Sequence, residues 1–260
     1  MGILNVTPDS FSDGGKFNAL DAAVQQAADM LQQGATIIDV GGESTRPGAV
    51  EVSVNEELDR VIPVIEKIAN ELDVIISIDT SKAEVISEAV KAGAGFINDV
   101  NALQAEGALD AAVESKLPVC LMHMQGKPRT MQANPVYQNI TNDVLSFLTA
   151  RIDACVNAGI TKDKLLIDPG FGFGKTLEHN LQLMHDLAEF EKLACPLLVG
   201  VSRKTMIGKI LDVDVNDRLI GSVALETLAV WNGADIIRAH DVKAAVEAVK
   251  IAIAVKLAKL

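Results

Sequence analysis

Aromatic residues are nearly missing from this chain: seven Phe, one Trp and one Tyr amount to 3% of 260 residues. A core must therefore be filled by Ala, Val, Ile and Leu, the side chains of parallel strands covered by helices. Cysteine is just as scarce. Cys120, Cys155 and Cys195 are odd in number and far apart. That excludes a disulfide framework and metal-like Cys spacing, and suits buried free thiols in a reducing cytoplasm. Basic residues are outnumbered 23 to 35 by acidic ones, a formal net charge of −12. A nucleic-acid partner wants a basic face, so it is excluded, and any anionic ligand needs a local basic pocket. No apolar run approaches the ~18 to 20 residues of a membrane helix. Polar Asn5, Thr7 and Asp9 follow the start at once with no basic stretch, which is not a signal peptide. There is no H-x-E or His/Cys cluster for zinc.

What is present suits one large α/β domain over residues 1–260, or two small ones, since 49% of the chain is hydrophobic. Its focal stretch is Asp168-Pro-Gly-Phe-Gly-Phe-Gly-Lys175. Leu165–Ile167 reads as a buried strand that ends in a carboxylate and a glycine loop. That is where an α/β barrel or sheet places its chemistry. The pattern recurs. Strands are predicted at Gly2–Val6, Thr36–Val40, Val74–Ile78, Gly95–Ile97, Pro118–Met122, Leu165–Ile167, Leu197–Val201 and Asp235–Ile237. Helical spacing covers Ala19–Gln33, Glu56–Asn70, Ala83–Lys91, Gly107–Ser115, Gln138–Asn157, Leu177–Glu191, Asp217–Asn232 and Val242–Leu260. Gly34, Gly93, Gly159 and Gly233 each stop a helix just before a strand. Eight strand-then-helix units in 260 residues predict a single (β/α)8, or TIM, barrel. A doubly wound open sheet is the alternative, but it usually carries a Gly-rich dinucleotide fingerprint after its first strand, and none is here.

Carboxyl ends of barrel strands converge on one mouth. Here they carry Asn5, Thr45 with Arg46, Asp79, Asn98, His123, Asp168, Ser202 with Lys204, and Arg238 with His240. Singly, each has a dull explanation: Asp79 or Asp168 as helix caps, Asn98 as a turn former, Arg238 paired with a surface acid. Together they divide by chemistry. Asp79, Asn98 and Asp168 suit a flat nitrogen heterocycle, because carboxylates accept from N–H groups and an amide does both. Lys204, Arg238, His240 and Arg46 suit phosphate, as does the N-terminus of the helix that Ser202-Arg203-Lys204 opens. Asn5 could give Mg²⁺ one oxygen, with phosphate and water supplying the rest. Two loops rich in Gly, Ser and Pro, Thr7–Phe17 and Gly42–Ser53, read as lids over the substrate.

These residues resemble the motifs of the dihydropteroate synthase family. Residues 2–15, 38–48 and 168–175, Ser202-Arg203-Lys204 and Arg238-Ala239-His240-Asp241 are all similar to its signatures, across nearly the whole chain. The family joins 6-hydroxymethyl-7,8-dihydropterin pyrophosphate to p-aminobenzoate, forming 7,8-dihydropteroate for folate, and is the sulfonamide target. The resemblance implies that Asp79, Asn98, Asp168 and Lys204 hold the pterin. It implies that Asn5 binds Mg²⁺ and that Thr45, Arg46, Arg238 and His240 grip the pyrophosphate. Ser202, Phe11, Pro47 and Phe173 would take the p-aminobenzoate. Pyrophosphate would depart first, leaving a pterin cation that Asp79, Asp168 and Asp9 face and the arylamine attacks. The resemblance also implies a cytoplasmic homodimer joined through its later helices. Members usually carry a small hairpin segment ahead of the first strand, and here it is absent or much shortened. A related methyltetrahydrofolate methyltransferase, or a pterin-binding barrel without catalysis, stays open beside this reading.

Overall fold

A computed structural model describes residues 1–7, 15–44, 48, 52–127 and 130–258, with backbone alone for 15–18. Among them strand and helix alternate from one end to the other. The strands are β1 (Gly2–Asn5), β2 (Ile37–Gly41), β3 (Ile75–Asp79), β4 (Phe96–Asp99), β5 (Val119–Met122), β6 (Leu165–Asp168), β7 (Leu198–Val199) and β8 (Ile236–Ile237). The helices are α1 (Gly15–Gln32), α2 (Val54–Glu71), α3 (Ala83–Ala92), α4 (Ala108–Ser115), α5 (Ile140–Ala158), α6 (Leu177–His185), α7 (Thr205–Leu211), α8 (Leu219–Trp231) and α9 (Val242–Lys256).

β1 to β6 form one continuous parallel sheet in sequence order, and β7 pairs with β8. Two single parallel bridges, Ile167 with Leu197 and Gly2 with Ala239, join the pieces. The amide of Ile167 donates to Pro196 O at 3.0 Å, and that of Ile3 to Ala239 O at 3.0 Å. The ring of eight strands is therefore closed. It is the predicted (β/α)8 barrel.

Alternation along the strands sorts the side chains. Ile38, Val40, Ile97, Val119, Leu121, Leu165, Ile167 and Val199 join the main core between barrel and helices. Phe96, Cys120, Leu166 and Leu198, with Met1 and Ile236 against them, form a separate small cluster that plugs the barrel interior. The register sets Asn5, Gly41, Asp79 and Asn98 side by side across β1 to β4, and Asp39 beside Ser77 two residues further back. The polar groups thus stand on the apolar plug, at the end where the strands feed the helices.

Local sequence explains the helix ends. Ser53 and Glu56 form a reciprocal capping box at α2, a feature worth about 1 kcal/mol. Asn139 caps α5 by accepting from Asn142 N. Several bounds, and one element, differ from the sequence expectation. The helix predicted over Leu177–Glu191 ends at His185 and continues as a 3-10 segment, Leu187–Leu193, where Leu187 and Phe190 turn into the core. β7 and β8 are two residues each. An added helix, α7, of seven residues follows β7.

Candidate active site

The centre of the mouth is Arg238, just past β8. Its Nε donates to Asp39 Oδ2 at 2.6 Å and its Nη2 to Asp79 Oδ2 at 2.7 Å. Asp39 also accepts from Ser77 Oγ at 2.6 Å and Asn98 Nδ2 at 3.1 Å. Burial works against the Arg238 charge, yet Asp39 and Asp79 hold its pKa above the ordinary guanidinium value. Burial lifts the Asp79 carboxyl to about 7; Arg238 opposes the rise, and Asp39, Glu57 and Asp99 add to it. A carboxylate that titrates near neutrality beside a fixed cation is a functional arrangement more often than a structural one.

Across the mouth, Asp168 ends β6 and accepts the Gly170 amide at 2.7 Å. Burial raises its pKa; the Gly170 bond, Lys204 and Lys175 oppose that. The glycine loop behind it is stitched by Lys175. That buried ammonium reaches Gly170 O at 2.8 Å, Phe173 O at 3.0 Å, His123 O at 3.3 Å and His123 Nδ1 at 2.9 Å. Burial, with the Lys175 charge added, lowers His123 to about 3, so its ring is neutral and accepts from Lys175. Lys204 lies over the Phe173 ring, 4.2 Å from its centroid, a cation–π contact. Phe173 in turn packs with Met122 and Met131 as an apolar wall. Burial and the Arg238 charge bring Lys204 down to about 8, against the pull of Asp168 and Asp79.

Ser202, past β7, accepts the His240 amide at 3.1 Å, and His240 Nδ1 lies 3.3 Å from the same hydroxyl. Burial and then the Arg238 and Arg203 charges lower His240 to about 4. Arg203 between Ser202 and Lys204 takes a left-handed φ of 56°, uncommon for a residue with a Cβ. It is held there by its amide on Ser222 Oγ at 2.9 Å, by Arg218 on its carbonyl at 3.1 Å, and by a two-point ion pair to Asp241. This strained residue aims Lys204 into the barrel.

Of the sequence-derived candidates, Asp79, Asn98 and Arg238 belong to one hydrogen-bonded network. Asp168, Lys204 and Phe173 face it, and Ser202 with His240 form the rim. Asn5, half-buried at the end of β1, pairs in register with Gly41. Asp9, Phe11, Thr45, Arg46 and Pro47, with most of the first predicted lid and half of the second, lie outside the described residues. Sequence reading passed over Asp39, Ser77 and Lys175. A charge inside the apolar run Ile37-Ile38-Asp39-Val40 was the available signal for the first.

An eight-stranded barrel whose mouth pairs buried carboxylates and an amide with two cations defines a class, and the chain matches it: residues 1–240 belong to the pterin binding enzyme family. Dihydropteroate synthase of Escherichia coli is 59% identical over 259 residues, which span 100% of this chain and 92% of that protein. The crystal structure of Yersinia pestis dihydropteroate synthase with a sulfonamide drug complex superposes with a TM-score of 0.95 at 58% identity, covering 99% of this chain and 94% of that one. The Xanthomonas albilineans dihydropteroate synthase with 4-aminobenzoic acid gives a TM-score of 0.94 at 48% identity, covering 100% and 93%. Within the pterin binding enzymes, the chain is a member of the dihydropteroate synthases, transferases of folate biosynthesis.

Proposed function

We propose that this barrel condenses 6-hydroxymethyl-7,8-dihydropterin pyrophosphate with p-aminobenzoate, through pyrophosphate departure followed by arylamine attack. The observation that carries the reading is the joint placement of Asp79, Asn98 and Asp168 with Lys204 and Arg238 in one buried mouth. The 4-aminobenzoic acid in the Xanthomonas albilineans relative supports the second substrate.

The pterin ring edge is read by Asp79, Asn98 and Asp168, with Lys204 donating from the Phe173 side. Arg238 has five N–H donors and spends two on Asp39 and Asp79, so three are left for the departing pyrophosphate. His240 donates there as well, and Thr45 and Arg46 follow from the resemblance. As the bond to pyrophosphate breaks, positive charge develops on the pterin. The carboxylates of Asp79 and Asp168, fixed in the barrel mouth, stabilise it in their ionised forms without reorganising. Asp9 adds a third carboxylate from the first loop. The arylamine then attacks, with Phe11, Pro47 and Phe173 enclosing its ring and Ser202 meeting its carboxylate.

Mg²⁺ fits the donor set. The Asn5 oxygen at the end of β1, with phosphate and water supplying the rest, is a ligand set that a hard cation takes. When bound it would offset charge on the leaving group. Cys120, Cys155 and Cys195, all unpaired and buried, support a cytoplasmic setting. Exposed apolar side chains on α8 and α9 support a homodimer: Ile220 is 81% exposed, Ile251 66% and Trp231 52%, more than lone surface residues require.

The test is pyrophosphate release from the pterin substrate with Mg²⁺, with and without p-aminobenzoate. Release together with dihydropteroate is expected. Methyl transfer from methyltetrahydrofolate to a corrinoid, with no dihydropteroate, would overturn the reading.

A further inference from the structure

We propose that Asp39 is a positioning residue that couples the two halves of the mouth, setting the donor–acceptor sense of Asn98 and the plane of Arg238 together. This rests on the function proposed above and deepens it.

Asp39 is 0% exposed and sits in mid-strand, enclosed behind Asp79 and Asn98. Its Oδ1 takes the Ser77 hydroxyl, and its Oδ2 takes both Asn98 Nδ2 and Arg238 Nε. An ionised carboxylate only accepts. Asn98 must therefore turn its NH₂ toward Asp39, and its carbonyl oxygen is left to accept from a ligand. Flipped by 180°, the same amide would offer a donor instead. Asp39 thus selects a heterocycle whose edge at Asn98 carries an N–H.

The second effect is on Arg238. With Nε on Asp39 and Nη2 on Asp79, both points of contact lie on one edge of the guanidinium. Among the described residues Nη1 makes no hydrogen bond, so the opposite edge is presented to an anion. One oxygen of one carboxylate, Oδ2, therefore sets both the reading of the ring and the aim of the cation on the leaving group. A misplacement of about 1 Å in either is enough to slow such a reaction about 10²-fold. A plain ion pair that only neutralises a buried arginine would not single out Asn98.

The experiment is a double-mutant cycle in the whole enzyme. Asp39→Asn, Asn98→Ala and Arg238→Met are made singly and as the two doubles containing Asp39→Asn. Calorimetric affinity for the pterin pyrophosphate, kcat and both KM values are measured. Asp39→Asn should lower kcat about 10²-fold and weaken pterin binding, while the KM for p-aminobenzoate holds within about twofold. Each second substitution should cost far less in its presence than in the parent. Additive doubles, or both KM values rising together, would overturn the proposal. Should Asp39→Asn fail to fold, the parent enzyme decides by NMR. The Arg238 Nε–H and Asn98 Nδ2–H signals must both be protected from exchange, free and with pterin bound, and freely exchanging Asn98 protons would refute it. A parent enzyme that forms no dihydropteroate overturns the function itself, a result separate from additivity in an active one.

Discussion

Gly170 is where the backbone geometry of the site can be tested most sharply. It has a left-handed φ of 71°, and a Cβ built on it would lie 1.9 Å from His123 O. That oxygen is on neighbouring backbone and cannot swing away. A carbon–oxygen contact needs about 3.3 Å, so in Gly170→Ala the loop must retreat by roughly 1.4 Å. The retreat breaks the Gly170 amide bond to Asp168 and the Lys175 bond to Gly170 O. Both involve a charged partner, at about 1.5 to 3 kcal/mol each. Left-handed strain adds roughly 1 to 2 kcal/mol, for a total of about 6 kcal/mol. Gly159 is the control. Its φ is 107°, but nothing lies within 4 Å of its built Cβ, so Gly159→Ala should cost only the strain. At about 2 to 4 °C per kcal/mol for a domain near this size, Tm should fall by about 12 to 24 °C in Gly170→Ala and by only a few degrees in Gly159→Ala. Calorimetry at one scan rate reads both. Because Asp168, at the end of β6, loses the amide that fixes its carboxylate, kcat/KM for the pterin should fall about 10²-fold in the first variant alone. Equal Tm shifts for the two would refute the steric argument.

Raised above the usual carboxylate value to about 7, Asp79 binds its proton more tightly in the folded chain, so its contribution is complete below the unfolded pKa and fades as pH rises through 7. Denaturant titrations of parent and Asp79→Asn should show the parent's advantage shrinking from pH 4 to 7; an advantage growing over that window would reverse the sign and defeat the account. His123 and His240, lowered to about 3 and about 4 by burial and neighbouring cations, should hold their ring NMR shifts from pH 8 to 5, whereas a midpoint near 6.5 for either would contradict its burial. Ile220→Glu puts a charge on the most exposed apolar side chain of α8 and should convert a dimer to monomer in light scattering with pterin affinity kept; an unchanged mass moves the interface elsewhere.

The barrel was readable because its signals are local. Gly34, Gly93, Gly159 and Gly233 stop helices where strands begin, and all four have positive φ. Asp79, Asn98 and Asp168 could be grouped because strand ends share one mouth whatever the strand lengths are. Asp39 could not be grouped that way. Its partners Ser77, Asn98 and Arg238 are 38, 59 and 199 residues distant, and only the register brings them together. The break after His185 was equally hidden, since Leu187 and Phe190 keep an apolar spacing that a continued α-helix would also satisfy. Lys175 reads as a loop-end charge in sequence; that it bonds three carbonyls depends on positive φ at Gly170, Gly172 and Gly174.

The ring's closure gives the two halves of the mouth unequal footing. Asp39, Asp79, Asn98 and Asp168 belong to the six strands that share an unbroken ladder, whereas Ser202, Lys204, Arg238 and His240 follow a two-strand clasp tied to β1 by three backbone hydrogen bonds, from Met1, Ile3 and Ala239, but to β6 by a single bridge at Ile167. Fewer ladder bonds mean cheaper local opening. Amides along the seam between β6 and β7 should exchange with solvent earlier than those of β2 to β5. Arg238 and His240, which meet a departing anion, thus ride on the clasp with the weaker seam, while the carboxylates and the amide that read the ring edge stand on the continuous ladder.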